Sequence, residues 1–227
     1  AGNVSATYWL GAKTGNGGNG GAVTVAAGAA GTLYTGSATS PGLVAQSIGN
    51  GGGLALFDVA NTASSSAISG SLTLGGSAGS GYGGTVNLTL GVNGAATAFS
   101  IGANGSLGAL AQSIGGGGGL AVLVDDGATL GGSVNVQLGE SANAGNGEGG
   151  SVTVSGTAAI QTAGLESPGL VAQAITGGGG VAAVYSGASS YSGTVRLGAT
   201  GGGTNYTGNV TVNVSGSIAT SGAFAYG

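Results

Sequence analysis

The sequence has no cysteine, methionine or histidine and very few charged residues. Only 2 of the 227 residues are Lys or Arg, and 6 are Asp or Glu. Without cysteine there is no disulfide framework or thiolate metal site, and without histidine the commonest neutral general base and metal ligand is missing. We therefore expect a protein that is not an enzyme and that binds no cofactor or metal.

Long apolar runs and basic stretches are also absent. No run approaches the roughly 18 apolar residues that a membrane helix needs, so we expect no membrane insertion by this segment. The net charge of −4 argues against nucleic acid as a partner, because binding it requires a basic surface that displaces the counterions of the phosphates.

Glycine and small apolar residues make up much of the chain. The 57 glycines would ordinarily indicate disorder, but disordered segments combine low hydrophobicity with high charge, and here 41% of residues are apolar and 4% are charged. Glycine costs about 1 kcal/mol relative to alanine inside a helix, and Val and Thr are disfavoured there too. The composition predicts a folded, all-β protein.

A seven-residue segment occurs three times without gaps, at 42–48, 108–114 and 169–175. Each copy is followed by a run dominated by glycine and is preceded, nine positions before its first residue, by an apolar side chain. The copies define three sets of equivalent residues: Gly42, Gly108 and Gly169; Gln46, Gln112 and Gln173; Ile48, Ile114 and Ile175. Self-similarity at such a period is typical of repeat architectures.

Alternating segments such as Val152-Thr153-Val154 open and close each unit. Their period of two is that of a strand with one buried and one wet face. These segments divide the chain into repeat 1 (22–84), repeat 2 (85–150) and repeat 3 (151–208). We expect 1–21 to be the tail of a preceding repeat and 209–227 the start of a further one.

Strands that recur in the same order predict stacking of each strand on its copy, as in a parallel β-helix or β-solenoid. At about 20 residues a turn, each repeat would make about three turns and the chain a rod about 50 Å long. Because each turn would bury little apolar surface, the neighbouring repeats of the same chain are the first partners we expect.

The glycine runs at 51–53, 115–119 and 177–180 allow two interpretations. Glycine supplies the positive φ of a tight corner or lets backbones approach closely. Alternatively, a stripe without side chains would let another rod lie alongside and assemble laterally. A phosphate-binding loop is disfavoured, because Leu-Ala or Val-Ala follows the glycines where Lys and Ser or Thr would be needed.

The polar residues have structural explanations. An unpaired amide within an apolar segment is costly, so we expect the three glutamines to bond to backbone or to form a ladder, with ligand contact as the alternative. Asp125 and Asp126 are neighbours that would face opposite sides of a strand, which favours a polar turn. An enzyme acting on polysaccharide would require Asp58, Asp125 and Glu166 to converge.

The segments 40–53, 106–119 and 167–180 resemble the Gly-rich repeats of giant bacterial autotransporter-type surface proteins, whose signature is Ser-x-Gly-[Leu/Ile]-x-Ala-Gln-Ser-Ile followed by five glycines. The chain departs from it at Asn50, Ala174 and Thr176. The resemblance implies export to the bacterial cell surface, a β-helical passenger anchored to the outer membrane by a part outside this chain, and adhesion, aggregation or matrix formation. It implies no catalytic residue.

We therefore expect an extracellular structural or adhesive rod segment that could contact a host or cell-surface ligand. One alternative is a homopolymeric fibre in which copies of the chain associate laterally or end to end. A second is a β-helix that binds or acts on polysaccharide.

Overall fold

A computed structural model of the chain describes residues 4–11, 17–28, 31–59, 68–76, 80–92, 94–125, 133–139, 147–186, 192–198 and 206–227. Within these ranges it contains sixteen β-strands and no helix. The prediction of an all-β protein is confirmed.

The strands have the following bounds: β1 Val4–Leu10, β2 Val23–Gly28, β3 Thr32–Thr35, β4 Leu43–Ile48, β5 Gly52–Val59, β6 Ile68–Leu74, β7 Val86–Val92, β8 Thr97–Ile101, β9 Ala109–Ile114, β10 Gly118–Asp125, β11 Ser133–Leu138, β12 Val152–Thr162, β13 Leu170–Ile175, β14 Gly179–Ser186, β15 Ser192–Leu197 and β16 Val210–Thr220.

The strands form four sheets, numbered here in the order in which each repeat enters them. Sheet I contains β2, β3, β7, β8, β12 and β16, sheet II contains β4, β9 and β13, sheet III contains β5, β10 and β14, and sheet IV contains β1, β6, β11 and β15. All strand pairs among the described residues are parallel.

Each strand pairs with its own copy in the next repeat. In sheet I, Val23 lies opposite Val86, Val86 opposite Val152, and Val152 opposite Val210. One repeat therefore makes a single circuit through the four sheets, and the prediction of about three turns per repeat is wrong. A rod about 50 Å long is wrong for the same reason, because strands in adjacent repeats are about 4.8 Å apart and four of them span only about 15 Å.

Hydrophobic contacts place the sheets in the order I, II, III, IV. Phe99 and Ile160 of sheet I pack with Ala111 of sheet II in one cluster. Leu110 of sheet II packs with Leu120 of sheet III in a second. The third cluster joins sheet III to sheet IV. Sheets II and III thus have both faces covered, as parallel sheets usually do.

Strand β9 shows the consequence, because all six of its residues are buried. A strand buried on both faces needs no polar alternation. The outer sheets do alternate, as in β7, where Val86, Leu88 and Leu90 are buried and Asn87 is exposed.

An insertion explains the unequal periods of 66 and 61 residues. In sheet I, β12 is continuous from Val152 to Thr162, whereas its partner is split into β7 and β8. The partner takes five more residues to span the same register. Gly91, at φ 70°, is skipped in the pairing of β2 with β7, and its N–H donates to Thr97 Oγ1 at 2.7 Å.

Candidate functional site

The three glutamines lie in one column on sheet II, with Gln46 opposite Gln112 and Gln112 opposite Gln173. Gln46 Nε2 donates to Gln112 Oε1 at 2.8 Å, and Gln112 Nε2 donates to Gln173 Oε1 at 2.7 Å. Gln112 is completely buried. The amides therefore form a ladder in the interior in which every bond runs in the same direction. Gln112, at its centre, accepts from Gln46 and donates to Gln173.

The first glycine of the signature is a site of close approach between sheets I and II. A Cβ on Gly42 would lie 2.6 Å from Gly108 O and 3.0 Å from the Phe99 ring. A Cβ on Gly108 would lie 2.7 Å from Ile160 Cγ2, and one on Gly169 would meet Ile218. None of the three glycines has a positive φ, so the requirement is for space.

The isoleucines form a third column at the end of sheet II. Ile48 and Ile175 each lie opposite Ile114. Ile114 is completely buried, and its two copies are half-buried. The column belongs to the core.

The glycine runs turn the chain from sheet II into sheet III. Gly116 to Gly119 have φ values from 84 to 139°, and all of 115–119 is buried. Asn50 occupies the position of Gly116 at φ 67°, in the left-handed region that Asn tolerates better than most residues. Its Oδ1 accepts a bond from Gly17 N at 3.0 Å.

A second set of segments, three of them glycine-rich, covers these corners. We name 17–21, 80–84, 147–150 and 206–209 the wall, since they lie between sheet IV and the next strand of sheet I. Corner N–H groups donate to wall carbonyls: Asn50 to Gly18 at 2.9 Å, Gly116 to Gly81 at 3.0 Å and Gly177 to Gly147 at 3.0 Å. The glycine run of repeat 2 is therefore internal, and the interpretation of the runs as a stripe open to lateral assembly is wrong for it.

Hydroxyl groups of the signature join sheet II to the wall. Ser47 Oγ donates to Gly21 O at 2.7 Å and accepts from Gly84 N at 2.8 Å, and Ser113 Oγ makes the equivalent bonds one repeat later. Ala174 lacks this group. Thr176 supplies it instead, donating to Tyr206 O and accepting from Gly149 N, both at 3.1 Å.

The first residue of the signature forms another ladder, at the turn between sheets I and II. Ser40 N donates to Ser106 Oγ at 2.9 Å, and Ser106 N donates to Ser167 Oγ at 3.1 Å. Ser106 and Ser167 are completely buried. The conserved spacing of the signature within this chain thus follows from stacking, without any ligand.

The described acidic residues named in the sequence analysis lie in sheet III and in the turn between sheets I and II. Asp58 lies opposite Val124 in sheet III, one register position from Asp125; Asp126 lies outside the described residues. Glu166 lies in the turn between sheets I and II at φ 51°. No group of three or more His, Cys, Asp or Glu that could hold a metal occurs in the described ranges.

Glu166 borders a cavity of about 270 Å³ whose other lining residues are Pro168, Val181 to Val184, Phe224 and Tyr226. Its Oε2 is buried without a hydrogen-bond partner. Burial raises the pKa of the Glu166 carboxyl above its ordinary value. Among the described residues that line it, Glu166 is the only carboxylate of the two that general acid–base cleavage of a glycan requires.

A row of side chains on the wall was missed by the sequence analysis. Backbone bonds from Gly20 N to Tyr82 O, from Gly83 N to Glu148 O and from Gly208 N to Gly149 O set the register of the wall segments. This register aligns, in one row, Asn19, Tyr82, Glu148 and Tyr206. The glycine pairs before three of the four opening strands were the available pattern, but which segments they stack on depends on the circuit length.

The described residues contain no helix long and apolar enough to cross a membrane. Comparison with models of known protein families, with curated proteins and with solved structures found no match.

Proposed function

We propose that the chain is a segment of a parallel β-solenoid that serves as a structural or adhesive rod at the bacterial cell surface. One observation carries the proposal. The strands of successive repeats pair in parallel with their own copies, at separations of 58 to 66 residues, in all four sheets. Such pairing extends along one axis with every repeat added.

The interior supports a passive role. Its polar groups at the repeated positions are engaged with copies of themselves, as in the Gln46–Gln112–Gln173 ladder and the Ser40–Ser106–Ser167 ladder. A hydrogen-bonded buried network stabilises one arrangement of the repeats, and Gln112 at its centre is bonded to both of its copies.

The burial gradient supports an array. Strand β9, which has a neighbour on each side, is buried throughout, whereas β4 and β13, with one neighbour each, are mostly half-buried. Stability in such an architecture is approximately the sum of repeat and interface contributions. Each additional repeat therefore converts a half-buried strand into a buried one.

The cell-surface location rests on the resemblance of 40–53, 106–119 and 167–180 to the Gly-rich autotransporter-type repeats. A low content of charged residues suits a rod outside the cell, because it leaves few sites for proteases that cleave next to charged residues. The buried, glycine-rich corners are likewise poorly accessible to proteases. The chain contains only two Lys or Arg residues.

Chains with increasing numbers of tandem copies of repeat 2 test the proposal. We expect small-angle scattering and negative-stain microscopy to show particles of constant cross-section whose length increases by about 4.8 Å per repeat. An increase of about 14 Å per repeat would indicate three turns. Particles that grow equally in all directions would overturn the rod.

A further inference from the structure

The row on the wall is unusual because, around Tyr82 and Glu148, nearly every position lacks a side chain. In 80–84 and 147–150, glycine occupies all positions but Ser80, Tyr82 and Glu148. The glycines on either side of Tyr82 approach backbone closely: a Cβ on Gly83 would lie 2.8 Å from Ile114 N, and one on Gly81 would meet Asn50 N. Tyr82 and Glu148 therefore stand on a backbone surface with few other side chains, whereas Thr207 and Asn209 lie beside Tyr206.

Two tyrosines of the row are exposed. Tyr82 is 42% exposed and Tyr206 is 86% exposed. Asn19 has a structural role, because its Oδ1 accepts a hydrogen bond from Tyr82 N at 2.9 Å. Glu148 lies between the tyrosines and is one of only eight charged residues in the chain.

The spacing of the row suits an extended polymer. Adjacent wall segments are one strand spacing apart, so Tyr82 and Tyr206 are separated by two spacings, about 10 Å. In an extended β-1,4-linked glycan, every second sugar presents the same face, and the disaccharide repeat has a similar length. Tyrosine offers an apolar ring face for the C–H groups of a sugar and a hydroxyl for its polar edge.

We infer that Tyr82, Glu148 and Tyr206 form a binding strip for a neutral β-1,4-linked glycan that lies parallel to the axis along which the repeats stack. The two tyrosines stack on alternate sugars, and Glu148 accepts hydrogen bonds from the hydroxyl groups of the sugar between them. The strip binds without cleaving, because the row contains a single carboxylate and hydrolysis requires two.

Charge selects the class of glycan. Glu148 lies within the strip and the whole chain carries −4, so uronate-containing or sulfated chains are repelled. Neutral sugars meet no such penalty, and their hydroxyl groups are the donors that a carboxylate requires. This inference goes beyond the rod itself, which requires no ligand.

Titration calorimetry of the 227-residue chain with cellohexaose tests it. We expect saturable binding, weakened about tenfold by Tyr206→Ala and by Tyr82→Ala, which corresponds to about 1.4 kcal/mol each. Tyr206→Phe retains the ring and most of the affinity. Tyr34→Ala, which removes a 73% exposed tyrosine from sheet I, is the matched control and leaves binding unchanged.

Absence of saturable cellohexaose binding by the unaltered chain overturns the inference, as does an equal loss in the Tyr34→Ala control. Circular dichroism of each variant identifies any loss of fold. Because the rod is tested by particle length without glycan, a failure of either proposal is visible separately from the other.

Discussion

The glutamine ladder predicts which of two variants is the less stable, and this ranking tests the ladder better than the size of either stability change. In Gln112→Leu, a completely buried amide is lost, and Gln46 Nε2 and Gln173 Oε1 each lose a partner. A buried group left unsatisfied costs about 1 to 3 kcal/mol. Since Gln46 and Gln173 are half-buried, water relieves part of this, and we expect a loss of about 2 kcal/mol.

The triple variant, with Leu at 46, 112 and 173, removes all the partners together. Replacing a whole set of bonded groups by apolar groups of similar shape is nearly neutral, so we expect it to lie within about 1 kcal/mol of the unaltered chain. Urea unfolding followed by circular dichroism measures all three proteins. Gln161→Leu, at an exposed position of β12, should change stability by less than about 0.5 kcal/mol.

The ordering is the test of the ladder. A triple variant less stable than the single variant would mean that the amides stabilise by their own net bond energy, and the account of unsatisfied partners would be refuted. No effect of Gln112→Leu would mean that the ladder contributes nothing to stability.

Two further predictions concern single positions. Gly118 has φ 131°, and in Gly118→Ala the new Cβ would meet Gly179, so we expect the free energy of unfolding to fall by about 3 kcal/mol. A Cβ on Gly18 meets nothing within 4 Å, so Gly18→Ala should raise the free energy of unfolding by about 0.5 kcal/mol. Equal effects of the two substitutions in urea unfolding would contradict the corner geometry. Burial raises the pKa of Glu166 above 4.5, so its contribution to stability is fully present below that pH and is lost as pH rises through the raised value. Glu166→Gln should therefore be the more stable protein at neutral pH with a flatter profile of unfolding free energy against pH, and parallel profiles would argue against this.

The repeats and the strand order were readable from the sequence, because stacking requires the same residue type at the same place in each circuit. The repeat spacing of Gln46, Gln112 and Gln173 predicts from the sequence alone that they form a column. Alternation in segments such as 152–154 also indicates which face of an outer sheet is buried.

The length of a circuit was not readable. A period near 60 residues fits three short turns or one long one, and the choice depends on how many sheets pack side by side. Leu110 of sheet II packs with Leu120 of sheet III, and both sheets are covered on both faces. This side-by-side packing of sheets requires one long circuit. Contacts between residues of different sheets recur at the same period as the strands, so the period does not show how many sheets one circuit passes through.

The glycine-rich segments show the same limit. Composition gives their backbone freedom, but the contact of Gly116 with Gly81 arises only after the circuit has closed and brought the wall against the corner. The sequence by itself determined the repeat, the strands and the repeated polar columns, since these depend on positions one period apart. Tertiary structure alone decided which glycines are internal and which side chains, such as Tyr82 and Tyr206, share an exposed row, because these depend on distances that the period does not encode.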